Sequence, residues 1–129
     1  MAPVLFDWHE YLRLAQSLSA NGDADSQRNS ISRAYYFVFH LASARAIANG
    51  YPPGTASHQN LWAHYQKDTN NKEARRLATL GTSMKNVRVL ADYKDVVPSL
   101  QDQMAQQLLD AANFLERITT LPPGSPPAP

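Results

Sequence analysis

Arg33, Tyr36 and His40 form a polar line in a largely apolar stretch, Ile31 to Ala46, which reads ISRAYYFVFHLASARA. At 100° per residue they fall within about 60° of one another, so they form one line along a helix. Ile31, Tyr35, Val38 and Ala42 fall on the opposite side. Cleavage of RNA through its own 2′-hydroxyl needs a base near that oxygen and a cation at the phosphate. A His and an Arg on one face supply both without a metal. The competing reading is a polar line that satisfies neighbouring groups and fixes helix register. A buried Arg ordinarily has a carboxylate partner, and Asp92 is one candidate.

A second cluster lies near the end of a basic segment. Arg88 and Asp92 are four apart and can pair along a helix, with Tyr93 next to them. One reading is a helix-end ion pair. The other is a cleft in which Arg88 binds phosphate and Tyr93 donates a hydrogen bond or stacks on a base. The binding candidates are therefore Tyr36, Arg88, Asp92 and Tyr93. If the site is catalytic, Arg33 or Arg88 stabilises the phosphate and His40 is the base.

Other chemistries find less support. His9, His40, His58 and His64 show neither H-x-x-x-H nor H-E-x-x-H spacing, and read as scattered surface or interface histidines. No metal site and no cofactor is expected. The five glycines are isolated, so no glycine-rich phosphate loop exists, and there is no G-x-S-x-G elbow. The chain has no cysteine, which removes disulfides, thiol catalysis and thiolate ligands and fits a reducing compartment. No basic, apolar leader opens the sequence, and no run of about 18 apolar residues is present. The expectation is a cytoplasmic protein without membrane contact.

At 129 residues one domain with one sizeable core is expected. The fold class is all-α, an antiparallel bundle of four long helices plus one short one. Asp7 with Glu10 reads as a capping box for the first helix, whose apolar stripe is Trp8, Leu12, Ala15 and Leu18 or Ser19. Asp23 or Asp25 caps the second, which runs to about Asn49 with Gly50 as its left-handed stop. Ser57 or Thr55 starts the short third helix, ending near Gln66. The fourth runs from about Asn71 to Ala91 or Tyr93, with a stripe at Leu77, Leu80, Met84, Val87 and Ala91. Gly81 interrupts it at a cost of about 1 kcal/mol unless a close helix crossing needs the small residue. Ser99 with Asp102 reads as the cap of the fifth, with Leu100, Met104, Leu108, Ala111 or Ala112 and Leu115 inside. Residues 1–120 form the domain. Residues 121–129, LPPGSPPAP, lack apolar content and are expected as a disordered, Pro-rich tail.

The net charge of +1 points to no particular partner, but its distribution is uneven. Lys72 to Lys94 holds six basic residues and two acids, leaving the rest of the chain net acidic. Arg75 and Arg76 read as a solvated face, with nucleic-acid contact the less favoured option.

Ser32 to His40, SRAYYFVFH, resembles the S-R-A-Y-Y-x-x-F-H signature of the HEPN superfamily (higher eukaryotes and prokaryotes nucleotide-binding). Val87 to Asp95, VRVLADYKD, resembles the R-x-x-A-D-Y element that accompanies it. Phe6 to Ala15 is similar to the first helix of that branch, and His58 to Trp62 to its short third helix. The resemblance covers about Phe6 to Thr120. It implies a small, commonly dimeric, prokaryotic helical bundle that binds nucleotide or RNA. It further implies a toxin–antitoxin or phage-defence setting, with a small nucleotidyltransferase or an antitoxin as partner. Many members are metal-independent endoribonucleases using an Arg, four to six residues, then a His. Arg33 and His40 have that spacing. After Arg88 four residues intervene and Tyr93 stands in place of His, and a Tyr with pKa near 10 is a poor base at neutral pH. The alternative is a non-catalytic interaction module.

Overall fold

A computed structural model describes residues 5–54 and 57–129. Residues 1–4, part of the stretch read for a leader, and Thr55, one candidate cap, lie outside the described residues. Among these residues five helices follow one another: α1 (His9–Ser19), α2 (Ala24–Ala48), α3 (His58–Gln66), α4 (Lys72–Tyr93) and α5 (Leu100–Ile118). No strand occurs among the described residues, so the chain is the expected helical bundle.

The central member is α2. It packs against α1, α4 and α5 and more lightly against α3, which itself lies on α4. Ile31, Ala34, Tyr35, Phe37, Val38, Ala42 and Ala46 are completely buried. Such a helix must be apolar on several faces, because each face meets a neighbour. Its polar positions are then spent on specific bonds. Ser30 Oγ donates to the Ala15 carbonyl of α1 at 2.7 Å. Gln107 of α5 is buried and donates to the Met84 carbonyl of α4 at 3.0 Å.

The termini follow local chemistry, with two corrections. Asp23 accepts from Ser26 N, Ser57 from Asn60 N, and Asn71 from Glu73 N and Ala74 N, each satisfying otherwise orphaned amides. Gly50 takes φ 104° and Tyr51 N returns to the Ala46 carbonyl, which ends α2. Asp7 sits one residue earlier than a cap: Trp8 occupies that position without a side-chain bond, and Asp7 Oδ1 accepts from His9 N at 3.0 Å. Ser99 adopts φ 50° and makes no side-chain cap bond, so the expected Ser99–Asp102 cap does not form.

Gly81 answers to a crossing. A Cβ there would meet the Trp62 ring of α3 at 2.5 Å, so the glycine lets the indole lie against the α4 backbone. The α5 seam is centred on Met104, Gln107, Ala111, Phe114 and Ile118, with Leu108 and Leu115 only partly buried at its edge.

The segment expected to be a disordered tail packs back onto the bundle. Leu121, Ser125 and Pro126 are buried. The anchor is Arg45 of α2, whose guanidinium donates to the carbonyls of Ile118 (3.2 Å), Leu121 (2.9 Å), Pro122 (2.7 Å) and Ser125 (2.6 Å). Asn49 Nδ2 donates to the Pro126 carbonyl at 3.0 Å, and the Ser125 hydroxyl bonds to the buried Asp68 carboxylate. Proline-rich segments lack N–H donors but keep every carbonyl, and an Arg fork is suited to collecting them.

Candidate functional site

Arg88 is the focus of the α2–α4 seam. It projects from the last turns of α4 and is only 7% exposed. Its guanidinium carbon lies 5.6 Å from the Tyr35 ring centre, 5.4 Å from Tyr36 and 6.0 Å from Tyr93. Three aromatic faces around one cation offset part of its desolvation. Its hydrogen bonding is sparse. Nη1 reaches Asp92 Oδ2 at 3.4 Å, and the buried Nε has no partner. Asp92 in turn accepts from Ser32 Oγ at 3.3 Å, a bond that ties the two signature stretches together across 60 positions.

The end of α4 is held by Arg28, in the first turns of α2. Arg28 donates from Nη1 to the carbonyls of Ala91 (2.9 Å) and Lys94 (2.6 Å), and from Nη2 to Asp95 (2.8 Å). A cation on the open carbonyls of a helix C-terminus is favoured by both hydrogen bonding and the dipole. It fixes where Asp92 and Tyr93 emerge, and Tyr93 remains 72% exposed.

Arg33 and His40 share a face, as expected, but that face is covered by α1. Arg33 Cζ lies 4.9 Å over the Tyr11 ring. The His40 ring is stacked on Trp8 and sits 6.4 Å from Tyr11. No bond joins Arg33 to His40. His40 also lies 6.4 Å from Tyr36, a ring that Arg88 covers as well. Tyr36 therefore joins His40 to the Arg88 cluster, while Arg33 stands on the far side against α1. Burial lowers the His40 pKa and so favours the neutral form of the ring.

His58, expected as a scattered surface or interface histidine, packs instead against the same tyrosine rings as Arg88. Its Nδ1 lies 2.7 Å from the Tyr35 hydroxyl, and Trp62 Nε1 donates to that same oxygen at 3.1 Å. The ring packs on Phe39 (4.2 Å) and lies 5.9 Å from Tyr36. Burial lowers its pKa first, followed by the positive charges of Arg88 and Lys85 and by His40. Burial also pushes the Tyr35 hydroxyl up to about 12, so it stays protonated. The available signal was positional: Tyr35 and His58 both lie within stretches read as signature elements.

Other candidates lie apart. Lys72, Arg75 and Arg76 line an open cavity of about 250 Å³ at the opposite end of α4 from Arg88, with Gln66 and Thr79. Among the described residues no three His, Asp or Glu side chains converge as metal ligands do. No helix among the described residues is long and apolar enough to cross a membrane.

The family model of the HEPN domain matches residues 9–121, which takes in all five helices described. The chain belongs to the HEPN domain family. This is a family of nucleotide-binding and RNase domains often found in toxin–antitoxin settings, and its members commonly pair with nucleotidyltransferases. No curated protein and no solved structure matches the chain significantly. In this HEPN domain the matched span contains every residue that converges on Arg88, together with Arg33 and His40.

Proposed function

We propose that this HEPN domain binds RNA or a nucleotide by its phosphate at the α2–α4 face. Arg88 is the principal donor, and Tyr36 and Tyr93 are the surfaces on which a base stacks. Asp92 orients the guanidinium. The single observation that carries this reading is the hydrogen-bond deficit of Arg88. A guanidinium has five N–H donors, yet this one is buried with one 3.4 Å carboxylate contact and an unpartnered Nε. Phosphate oxygens match the fork and charge of that group.

The finer kinship is with the S-R-A-Y-Y-x-x-F-H and R-x-x-A-D-Y branch, supported by the Ser32–Asp92 bond between the two stretches. The setting is a prokaryotic toxin–antitoxin or phage-defence system, with the protein acting as a homodimer or beside a nucleotidyltransferase or antitoxin. Where the bound RNA is cleaved, the reaction is metal-independent. His40 takes the 2′-hydroxyl proton as the 2′-oxygen bonds to phosphorus. The bond to the 5′-oxygen breaks, leaving a 2′,3′-cyclic phosphate, and the departing 5′-oxygen takes a proton from water. Arg88 balances the charge at phosphorus, with Arg33 the more distant cation. Burial favours the neutral form of His40, the form in which a base must start. A scaffolding reading draws on the same bonds, since Ser32–Asp92 and Tyr35–His58 hold helices together.

The test is binding and cleavage of a labelled single-stranded RNA by purified protein in the presence of a chelator. Arg88→Ala is expected to weaken binding by about tenfold or more, the worth of a hydrogen bond to a charged group. His40→Ala is expected to abolish any cleavage. Undiminished binding by a folded Arg88→Ala variant refutes the reading and leaves the scaffold.

A further inference from the structure

We propose that His58, on α3, is a second ligand-binding donor of the Arg88 site, presenting a neutral Nε2–H to a phosphate oxygen. The inference rests on the phosphate-binding reading of Arg88 and adds the group that completes the site.

Hydrogen-bond accounting fixes the imidazole tautomer. Trp62 Nε1–H can only donate, and it donates to the Tyr35 oxygen. Tyr35 is completely buried, so its own O–H proton needs an acceptor inside the protein. Among the described residues His58 Nδ1, at 2.7 Å, is the acceptor in reach. A neutral imidazole that accepts at Nδ1 carries its proton at Nε2. The Trp62–Tyr35–His58 chain therefore turns His58 into a donor and prevents it from serving as a base through Nε2.

The ring is also in the right place. His58 and Arg88 both flank the Tyr35 and Tyr36 rings: His58 lies 5.4 and 5.9 Å from them, and Arg88 5.6 and 5.4 Å. Nε2 makes no hydrogen bond to the described protein and points away from Tyr35. Charged Arg88 and Lys85 of α4 and His40 of α2 face the ring, so its neutral form is the one this corner favours. A neutral donor that shares the Tyr35 and Tyr36 rings with a fixed guanidinium adds a directed bond to the site without adding a second charge. The ligand class is a phosphate ester, supplied either by an RNA backbone or by a free nucleotide.

Two isosteric variants separate the donor from its support. In His58→Asn the amide oxygen takes the place of Nδ1 and retains the Tyr35 bond, but no donor reaches the Nε2 position. In His58→Gln the amide N–H reaches that position, and the Tyr35 bond is lost. Binding is measured with a fluorescein-labelled RNA oligonucleotide and, separately, with AMP. His58→Asn is expected to weaken binding about tenfold, and His58→Gln to bind within about threefold of wild type. An effect with RNA alone assigns the phosphate to a backbone; an effect with both probes assigns it to any nucleotide phosphate. If Arg88→Ala weakens binding and His58→Asn does not, the His58 role is wrong and the Arg88 site stands. If neither variant changes binding, both readings fall. Imidazole nitrogen NMR at neutral pH gives a ligand-free check: an Nδ1–H tautomer or a charged ring at His58 overturns the proposal.

Discussion

The Trp8 indole lies flat on the His40 imidazole, with ring centres 3.5 Å apart and planes 7° from parallel. This stack is how α1 reaches the site. It orients His40 through contact with a ring that donates no bond to it, and it removes water from one face of the imidazole. Desolvation then favours the neutral form. The first helix is thus a cover over the line of Arg33 and His40 as well as a packing element.

Three histidines give the fold a defined acid sensitivity. His40, His58 and His64 all have pKa values lowered from 6.5, with burial as the largest cause. Each binds fewer protons in the folded chain than in the unfolded one. Their contribution to stability is complete above about pH 6.5 and is lost as pH falls through the lower folded values. Asp7 and Asp23, also lowered from 3.8 by bonds to His9 and Ser26, act only in a more acid window. Urea midpoints are expected to fall between about pH 7.5 and 5.5, and less so in His40→Phe. Identical midpoints at the two pH values would contradict this.

Gly81 is expected to tolerate no side chain. Alanine would gain up to about 1 kcal/mol in helix propensity but must displace the enclosed Trp62 ring, at a cost of about 1–3 kcal/mol. Gly81→Ala should therefore lower the melting temperature, and Gly81→Val should lower it further. Gly22, with nothing within 4 Å of an added Cβ, is the control. Gly22→Ala should change stability by less than about 0.5 kcal/mol.

Arg45 and the C-terminal segment should behave as one unit. Arg45→Ala strips donors from four carbonyls and is expected to destabilise by about 2–3 kcal/mol. Truncation after Thr120 removes three of those acceptors together with the buried Leu121 and Pro126. The double variant should cost clearly less than the two single costs added, because both remove the same interaction. Additive losses in a denaturation series would show that the segment is not held by Arg45.

Arg28→Ala tests whether the end of α4 sets the geometry of the site. Loss of its three carbonyl bonds should destabilise by about 1 kcal/mol and speed amide exchange around residues 92–97. RNA binding should weaken although Arg28 touches no ligand. Unchanged exchange in that segment would rule out the positioning role.

Much of this was already written in local chemistry. Ile31, Tyr35, Val38 and Ala42 formed the buried side of α2 as their 3.6-residue period requires, and all are fully enclosed. Asp23, Ser57 and Asn71 cap because an oxygen two or three residues before an open amide has few other places to go. The Arg88–Asp92 pair follows from four-residue spacing alone. Ser99 failed as a cap because it sits at a left-handed backbone position, which its residue type does not announce. Residue type places the α5 stripe on Leu108 and Leu115, because leucine scores as core, while buried Gln107 scores as surface until its carbonyl partners in α2 and α4 are in place.

By itself, the sequence determined five helices, their order, the buried face of α2 and the two stretches that carry the polar residues, because periodicity and capping are properties of neighbours in the chain. Tertiary structure decided what those residues face. It set Arg33 against Tyr11, His40 under Trp8, His58 beside Tyr35 and the last nine residues on Arg45. Each of those outcomes depends on a contact across helices, where side-chain reach, burial and the need to satisfy buried donors and acceptors act only once the bundle has closed.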